Sequence, residues 1–123
     1  MFSQEYMRHF QNPCNIGDLP DADAVAEVHY QGEGCFDRIK IYLKTEQGKV
    51  GKVTYRVRGC SGTIAACSAM SELAPTLDLK QAAKLQGEDV AKALGGVPER
   101  KKHSVDLAAE ALRTVVAKKL EQK

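Results

Sequence analysis

Apolar and polar residues alternate along three stretches in the first half of the chain, at residues 24–30, 38–44 and 50–58. In the middle stretch Ile39, Ile41 and Leu43 alternate with charged or polar residues. Glycines interrupt the chain between the first two stretches, and a short loop at residues 45–49 separates the last two. A period of two is typical of half-buried strands, and short connections favour antiparallel pairing. The pattern predicts a three-stranded antiparallel meander with one solvent-exposed face.

After Gly59 the apolar period changes to 3.6, which predicts helices at residues 61–74, 79–85 and 90–94. A short helix at residues 3–11, with a stripe of aromatic residues, precedes the strands. Ser104 is the expected N-cap of a last helix, whose apolar stripe consists of Val105, Ala108, Ala109, Leu112, Val115, Val116 and Leu120. Strands followed by helices predict an α+β fold, a three-stranded antiparallel sheet with helices packed on one face. We expect residues 1–123 to form a single domain.

Composition limits the function classes. Hydrophobic residues make up 43% of the 123 residues, which is enough for a core, and 18 basic against 16 acidic residues give a net charge of +2. A net charge this small does not indicate the basic surface that binds nucleic acid. No apolar run approaches the roughly 20 residues that span a bilayer, and the N-terminus does not resemble a secretory signal. We therefore expect a soluble cytoplasmic protein that binds neither nucleic acid nor membrane.

The four cysteines are Cys14, Cys35, Cys60 and Cys67. Without a secretory signal they do not indicate a disulfide framework. No two of them form a C-x-x-C pair, which disfavours a thioredoxin-like motif and an ordinary zinc ribbon. Metal ligation, thiol chemistry and burial as small apolar side chains remain open for each cysteine.

Four candidate ligands fall at three junctions between predicted elements. Cys35 and Asp37 enter the second strand two residues apart, so the strand period directs both to one side. Cys60 lies between the third strand and the next helix, where unpaired helix N–H groups favour a thiolate. His103 directly precedes the last helix. Each residue alone is more typical of a structural or surface role, but their shared placement at junctions favours a metal site.

The other cysteines and histidines are weaker candidates. Cys67 is two helical turns beyond Cys60, roughly 10 Å along the axis, too far for both thiols to hold one ion, and it shares a stripe with apolar residues. Cys14 lies in the turn after the first helix and would reach the site only if that segment folds over it. Both are retained as candidate auxiliary thiols. His9 and His29 are interpreted as solvent-exposed.

The order of motifs resembles the IscU/NifU N-terminal family of iron–sulfur cluster assembly scaffolds over nearly the whole chain. The matching segments are H-F-Q-N-P-C-N-I-G at residues 9–17, G-x-G-C-F-D at 32–37, R-G-C-S-G-T-I-A-A-C-S at 58–68 and V-P-E-R-K-K-H-S-V-D-L-A-A-E-A-L at 97–112. The resemblance implies a SufE/NifU-like fold. It also implies metal-ligand roles for Cys35 and Cys60, a carboxylate at Asp37 that keeps the cluster labile, and His103 as an auxiliary ligand.

One position departs from the family pattern. Where the family has its third ligand cysteine, directly after the histidine, this chain has Ser104, either by natural divergence or as a Cys→Ser replacement. A serine hydroxyl stays protonated near neutral pH and is a poorer ligand than a thiolate for zinc or an iron–sulfur cluster. Cys35, Asp37, Cys60 and His103 still supply the four donors of a tetrahedral zinc site. We expect zinc or iron to bind and cluster retention to be weakened.

The resemblance implies a scaffold rather than an enzyme. It would build a transient [2Fe–2S] cluster from iron and from sulfur delivered by a cysteine desulfurase, and pass it to acceptor apoproteins. A zinc-bound sulfurtransferase and a metal-free regulator of the desulfurase are the alternatives. In the segment 97–101 only the proline and the final lysine match the family motif for a dedicated Hsp70-type chaperone, which argues against that partner.

Overall fold

The computed structural model describes residues 2–32 and 35–122, with the backbone but not the side chain of Cys35. Its sheet consists of β1 (Ala24–Gly32), β2 (Cys35–Glu46) and β3 (Lys49–Arg58), antiparallel and in the order β1-β2-β3. The α-helices of the described residues are α1 (Gln4–Gln11), α2 (Ser61–Leu73), α3 (Leu79–Ala82), α4 (Gly87–Ala93) and α5 (Lys102–Glu121). The predicted α+β architecture, with three antiparallel strands followed by helices, is confirmed.

Strand alternation determines which side of the sheet is covered. Ile39, Ile41 and Leu43 of β2 are fully buried, as their alternation with charged residues predicted. The helices α5, against β1 and β2, and α2, against β3, cover this face. The predicted five-residue loop between β2 and β3 is a two-residue turn, because Gln47 and Gly48 both adopt positive φ, 51° and 78°. A turn of this kind matches the strand twist and lets both strands run further than the pattern indicated.

The first helix differs from its predicted orientation. Tyr6 is buried as expected, but Phe10 is exposed and His9 is buried in its place. The His9 ring lies between α1 and α2, where its Nδ1 is 2.7 Å from the Ser68 hydroxyl. The interpretation of His9 as solvent-exposed was therefore wrong, because a polar partner on α2 compensates for its burial. His29 is exposed, as predicted.

The last helix begins earlier than its sequence indicated. A 3-10 turn at Glu99–Lys101 leads directly into α5 at Lys102, so Ser104 lies within the first turn and is not the N-cap. Its side chain is buried against other elements rather than capping the helix. At the other end of the predicted stripe, Leu120 is exposed. None of the helices in the described ranges combines the length and the apolar character required to cross a membrane.

Candidate metal centre

Asp37, Cys60 and His103 converge at one end of the sheet, although they come from three different elements. Asp37 is a fully buried residue of β2, Cys60 is the N-cap of α2, and His103 is in the first turn of α5. A ligand atom from each lies within 4.8 Å of a ligand atom from the other two. Three of the four predicted metal ligands therefore lie close enough to hold one ion.

The carboxylate of Asp37 is held from two sides. Its Oδ1 accepts a hydrogen bond from the backbone N–H of Cys60 at 3.1 Å, and its Oδ2 accepts one from the hydroxyl of Thr63 at 3.0 Å. The Nε2 of His103 lies 3.1 Å from Oδ2. These bonds join the start of β2 to the N-terminal turns of α2 and α5, so the ligand positions are fixed by the packing of the fold.

The backbone of Cys35 is described, and it opens β2 opposite Gly32 of β1. It is two residues before Asp37, which pairs with Tyr30. Cys35 and Asp37 therefore lie two positions apart in the same strand, which is the spacing on which the ligand prediction rests. The side chain of Cys35 lies outside the described part of the structure, so its participation as a ligand stays a prediction.

Ser104 lies where the missing cysteine of the resemblance was expected. It is 1% exposed, and its Oγ is 3.6 Å from Cys60 Sγ, 3.0 Å from Thr63 Oγ1 and 3.4 Å from His103 Nε2. The hydroxyl therefore points into the ligand cluster. As a neutral oxygen donor it contributes hydrogen bonds to the site but is a weak metal ligand.

The thiol of Cys60 is only partly buried, and its pKa is lowered to about 6. Burial alone would raise the pKa, but hydrogen bonding from Thr63 and Ser104 outweighs burial. The Thr63 hydroxyl has one proton, and Asp37 Oδ2 at 3.0 Å is closer to it than Cys60 Sγ at 3.5 Å. The Ser104 hydroxyl is likewise closer to Thr63 Oγ1, at 3.0 Å, than to Cys60 Sγ, at 3.6 Å, so the two hydroxyls stabilise the thiolate as one hydrogen-bonded network. A thiolate at neutral pH is the form that binds metal.

Two glycines allow the close approach of these side chains. A Cβ atom on Gly59 would lie 2.2 Å from Asp37 Oδ1, and one on Gly62 would lie 2.9 Å from Ser104 Oγ. Neither glycine has a positive φ. Their role is therefore to leave space for the buried carboxylate and hydroxyl rather than to adopt a special backbone conformation.

Two residues of the site were not identified from the sequence. Thr63 is three residues after the N-cap Cys60, at the position whose side chain turns back towards a cap. This spacing could have identified Thr63 from the sequence. The ring of Tyr30 stacks on the His103 ring with centroids 4.6 Å apart. Tyr30 was predicted only as a core-facing strand residue, and its position at the end of β1 adds an apolar wall to the site.

The candidate auxiliary thiols do not reach this centre. Cys67 is fully buried, which agrees with its interpretation as a core residue, and burial raises the pKa of its thiol. Cys14 contacts Glu72, near the C-terminal end of α2, rather than Cys60 at its start. Neither thiol belongs to the ligand cluster of Asp37, Cys60 and His103.

The sequence is similar to those of known proteins over nearly its whole length. The sequence model of the family described as the NifU-like N terminal domain matches residues 1–123. A relative from Archaeoglobus fulgidus, named iron–sulfur cluster assembly scaffold protein IscU 1, is 37% identical over 116 residues, 94% of this chain and 74% of the relative. A Drosophila melanogaster relative, named iron–sulfur cluster assembly enzyme IscU, is 29% identical over 95% of this chain and 77% of its own length.

A solved structure has the same fold. The crystal structure of a nitrogen-fixing NifU-like protein (N-terminal) from Brucella abortus superposes with a TM-score of 0.73 at 22% identity, covering 98% of this chain and 95% of that chain. At this level of identity the likeness concerns the fold. It agrees with the three-stranded sheet and the order of the helices described above.

Proposed function

The chain belongs to the family of NifU-like N-terminal domains, and on this premise we propose that it is a scaffold for the assembly of iron–sulfur clusters. The observation that carries the proposal is the convergence of Asp37, Cys60 and His103 at one end of the sheet, with ligand atoms within 4.8 Å of one another. The relatives named IscU scaffold proteins support it. The cluster is the cargo of this site, held for a time and then passed on.

We assign the ligand set to Cys35, Cys60, Asp37 and His103. The proposed cargo is a [2Fe–2S] cluster, with iron and zinc as ions that the same residues bind. A mixed set of sulfur, oxygen and nitrogen donors suits zinc, and it holds a cluster less firmly than the four thiolates that iron–sulfur clusters usually have. Weak retention is useful to a scaffold because the cargo must leave. Ser104 increases this lability, since it supplies a hydroxyl where a third thiolate would bind.

The partners follow from the chemistry of the proposed cargo. A [2Fe–2S] cluster contains sulfide as well as iron, so we propose that a cysteine desulfurase delivers sulfur to this end of the sheet. Acceptor apoproteins then receive the cluster. In this proposal the chain itself contributes binding and release, and its role is that of a scaffold rather than a catalyst.

The test is anaerobic reconstitution with iron and sulfide, measured as visible absorption and as bound iron and sulfide. We expect the wild-type chain to develop cluster absorption and Cys60→Ala to lose most of it. The matched control is Cys14→Ala, which removes a cysteine outside the cluster of Asp37, Cys60 and His103 and should retain the wild-type spectrum. Equal absorption and iron content in the wild type and Cys60→Ala would contradict the assignment.

A second function is favoured by one observation, the partly exposed position of the Cys60 thiol at the N-cap of α2. A thiolate there is also suited to accept and relay sulfur from a desulfurase while zinc is bound. This candidate predicts purified protein that contains zinc bound through Cys60, accelerates desulfurase turnover and takes up no cluster during reconstitution. Cluster uptake under those conditions would exclude it in favour of the scaffold.

A further inference from the structure

A second cluster of metal-ligand residues lies between α1 and α2, away from the proposed scaffold site. His9 of α1, Cys14 of the following turn and Glu72 of α2 have ligand atoms within 4.8 Å of one another. Cys14 Sγ lies 3.2 Å from Glu72 Oε2, and His9 Nε2 lies 3.4 Å from Glu72 Oε1. Glu72 is twelve residues beyond Cys60 along α2, which separates the two clusters by about 18 Å of helix.

The buried imidazole of His9 is oriented for ligation through Nε2. Arg8 Nη2 lies 3.1 Å from Nε2, closer than Glu72 Oε1 at 3.4 Å, and because a guanidinium can only donate we assign the lone pair to Nε2. The proton is then on Nδ1, which donates to the Ser68 hydroxyl at 2.7 Å. A metal-binding histidine has this arrangement, with one nitrogen free to bind the ion and the other fixed by an outer hydrogen bond. The His9 side chain is 2% exposed, so its orientation is held by packing as well.

The thiol of Cys14 is also held in place by the backbone around it. The N–H of Cys14 donates to the Ser68 hydroxyl at 2.9 Å, and its carbonyl accepts from the Tyr55 hydroxyl at 2.8 Å. The next residue, Asn15, has a φ of 63°, and its side-chain amide donates to Ser71. Ser68 therefore positions both His9 and Cys14, which makes the cluster a built arrangement rather than a chance meeting of surface side chains.

A cation already lies against two of the three ligands. Arg8 Nη2 is 3.3 Å from Glu72 Oε1 and 3.1 Å from His9 Nε2. The Arg8 side chain is half exposed and also reaches Glu5, at 3.1 Å, so it has an alternative partner when it moves aside. The guanidinium thus occupies the acceptor positions that a bound metal ion would use.

We propose that His9, Cys14 and Glu72 form a second metal site, for zinc or a divalent ion of similar ligand preference. One nitrogen, one sulfur and one oxygen donor match the ligand types of zinc, and three protein ligands leave a fourth tetrahedral position for solvent. On binding, Cys14 forms a metal–thiolate bond and its proton passes to solvent, while Arg8 is displaced towards Glu5. This inference does not rest on the proposed function, because it involves none of the scaffold ligands.

The test uses cobalt(II) as the probe, because a thiolate ligand gives it a charge-transfer band in the near ultraviolet. The background is Cys35→Ala/Cys60→Ala, which removes the thiols proposed for the scaffold site. We expect this variant to bind one cobalt ion with the charge-transfer band. Adding Cys14→Ser should remove the band and weaken binding at least about tenfold, since loss of even an outer-sphere partner costs that much. Adding Glu110→Gln, which neutralises an exposed carboxylate of α5 outside both clusters, should leave the band unchanged.

Two further variants distinguish a metal site from a structural hydrogen-bond network. Arg8→Gln removes the competing cation and should tighten cobalt binding, whereas Glu72→Gln should weaken it. The number of zinc ions bound is also measured with Cys35 and Cys60 intact, so this result does not depend on how the cysteine-depleted background folds. In that chain, Cys14→Ser should bind one zinc equivalent fewer than wild type. Absence of the band in the background variant, its persistence after Cys14→Ser, or equal zinc stoichiometry in wild type and Cys14→Ser would overturn the proposal.

Discussion

At the scale of single residues, the hydroxyl of Ser104 is the feature that most limits the proposed scaffold site. It is buried and lies 3.6 Å from Cys60 Sγ and 3.4 Å from His103 Nε2, at the distance of neighbouring ligands. In the proposed ligand set this position would hold a third sulfur, and the sequence places a hydroxyl there. Its hydroxyl stabilises the Cys60 thiolate but adds little to the binding of a metal.

We predict that Ser104→Cys retains a reconstituted cluster longer than the wild-type chain. A thiolate at this position adds a strong ligand, and we expect the rate of colour loss to a chelator to fall by about tenfold or more. Loss of visible absorption after addition of chelator measures this rate. Ser104→Ala is the matched control and should lose colour no more slowly than wild type. Equal rates for Ser104→Cys and wild type would show that this position does not face the cluster.

The burial of His9 is a feature that the local sequence could not predict. A histidine beside an aromatic stripe on a short helix has no local feature that distinguishes a buried ring from an exposed one. The distinguishing partner, Ser68, is 59 positions further along the chain. Glu72, the third member of that cluster, was also not identified from the sequence, because an acidic residue near a helix end is ordinarily solvated.

At the scale of elements, the hydrophobic pattern predicted the strands more accurately than it predicted the ends of the helices. The alternation of apolar and polar residues identified all three strands and the buried residues of β2, because every second residue of a half-buried strand faces the core. The start of α5 was predicted three residues late, since Ser104 is a favourable N-cap by its local sequence but Lys101 is the N-cap in the structure. Its burial beside Gly62 and Thr63 instead depends on the packing of α5 against α2.

We predict that Gly59→Ala weakens zinc binding without changing a ligand. Gly59 lies at the junction of β3 and α2, and an added Cβ would be 2.2 Å from Asp37 Oδ1, so the carboxylate must move. We expect the dissociation constant for zinc to rise about tenfold or more, the size of effect seen when groups that orient a ligand are removed. The cost in free energy of unfolding should be about 1–3 kcal/mol, as for other overpacked sites. Zinc titration and denaturant unfolding measure the two effects.

A double-mutant cycle tests whether this effect passes through the carboxylate. If Gly59→Ala acts by displacing Asp37, adding it to Asp37→Ala should weaken zinc binding little further, because the displaced group is already absent. Fully additive losses in the double variant would mean that the alanine disturbs the site by another route, such as a change in the position of Cys60.

At the scale of the whole molecule, the proposed scaffold site joins parts of the chain that are far apart in sequence. Asp37 belongs to β2, Cys60 to the junction of β3 and α2, and His103 to α5. An ion bound by all three would link the sheet to the two helices that cover it. Because such a site is complete only in the folded chain, binding free energy there adds to folding stability.

We predict that zinc raises the melting temperature of the Cys14→Ser chain, which lacks a ligand of the second proposed site. At a hundredfold excess over the Kd, one site adds about 2.7 kcal/mol, which for a domain of this size raises the Tm by roughly 10 °C. Chelator should reverse the shift, as measured by thermal unfolding. The Cys14→Ser/Cys60→Ala variant should show little of it, because a ligand from the centre of the site is missing. An equal shift in both variants would mean that zinc stabilises the fold elsewhere and that Cys60 does not connect these elements through a metal.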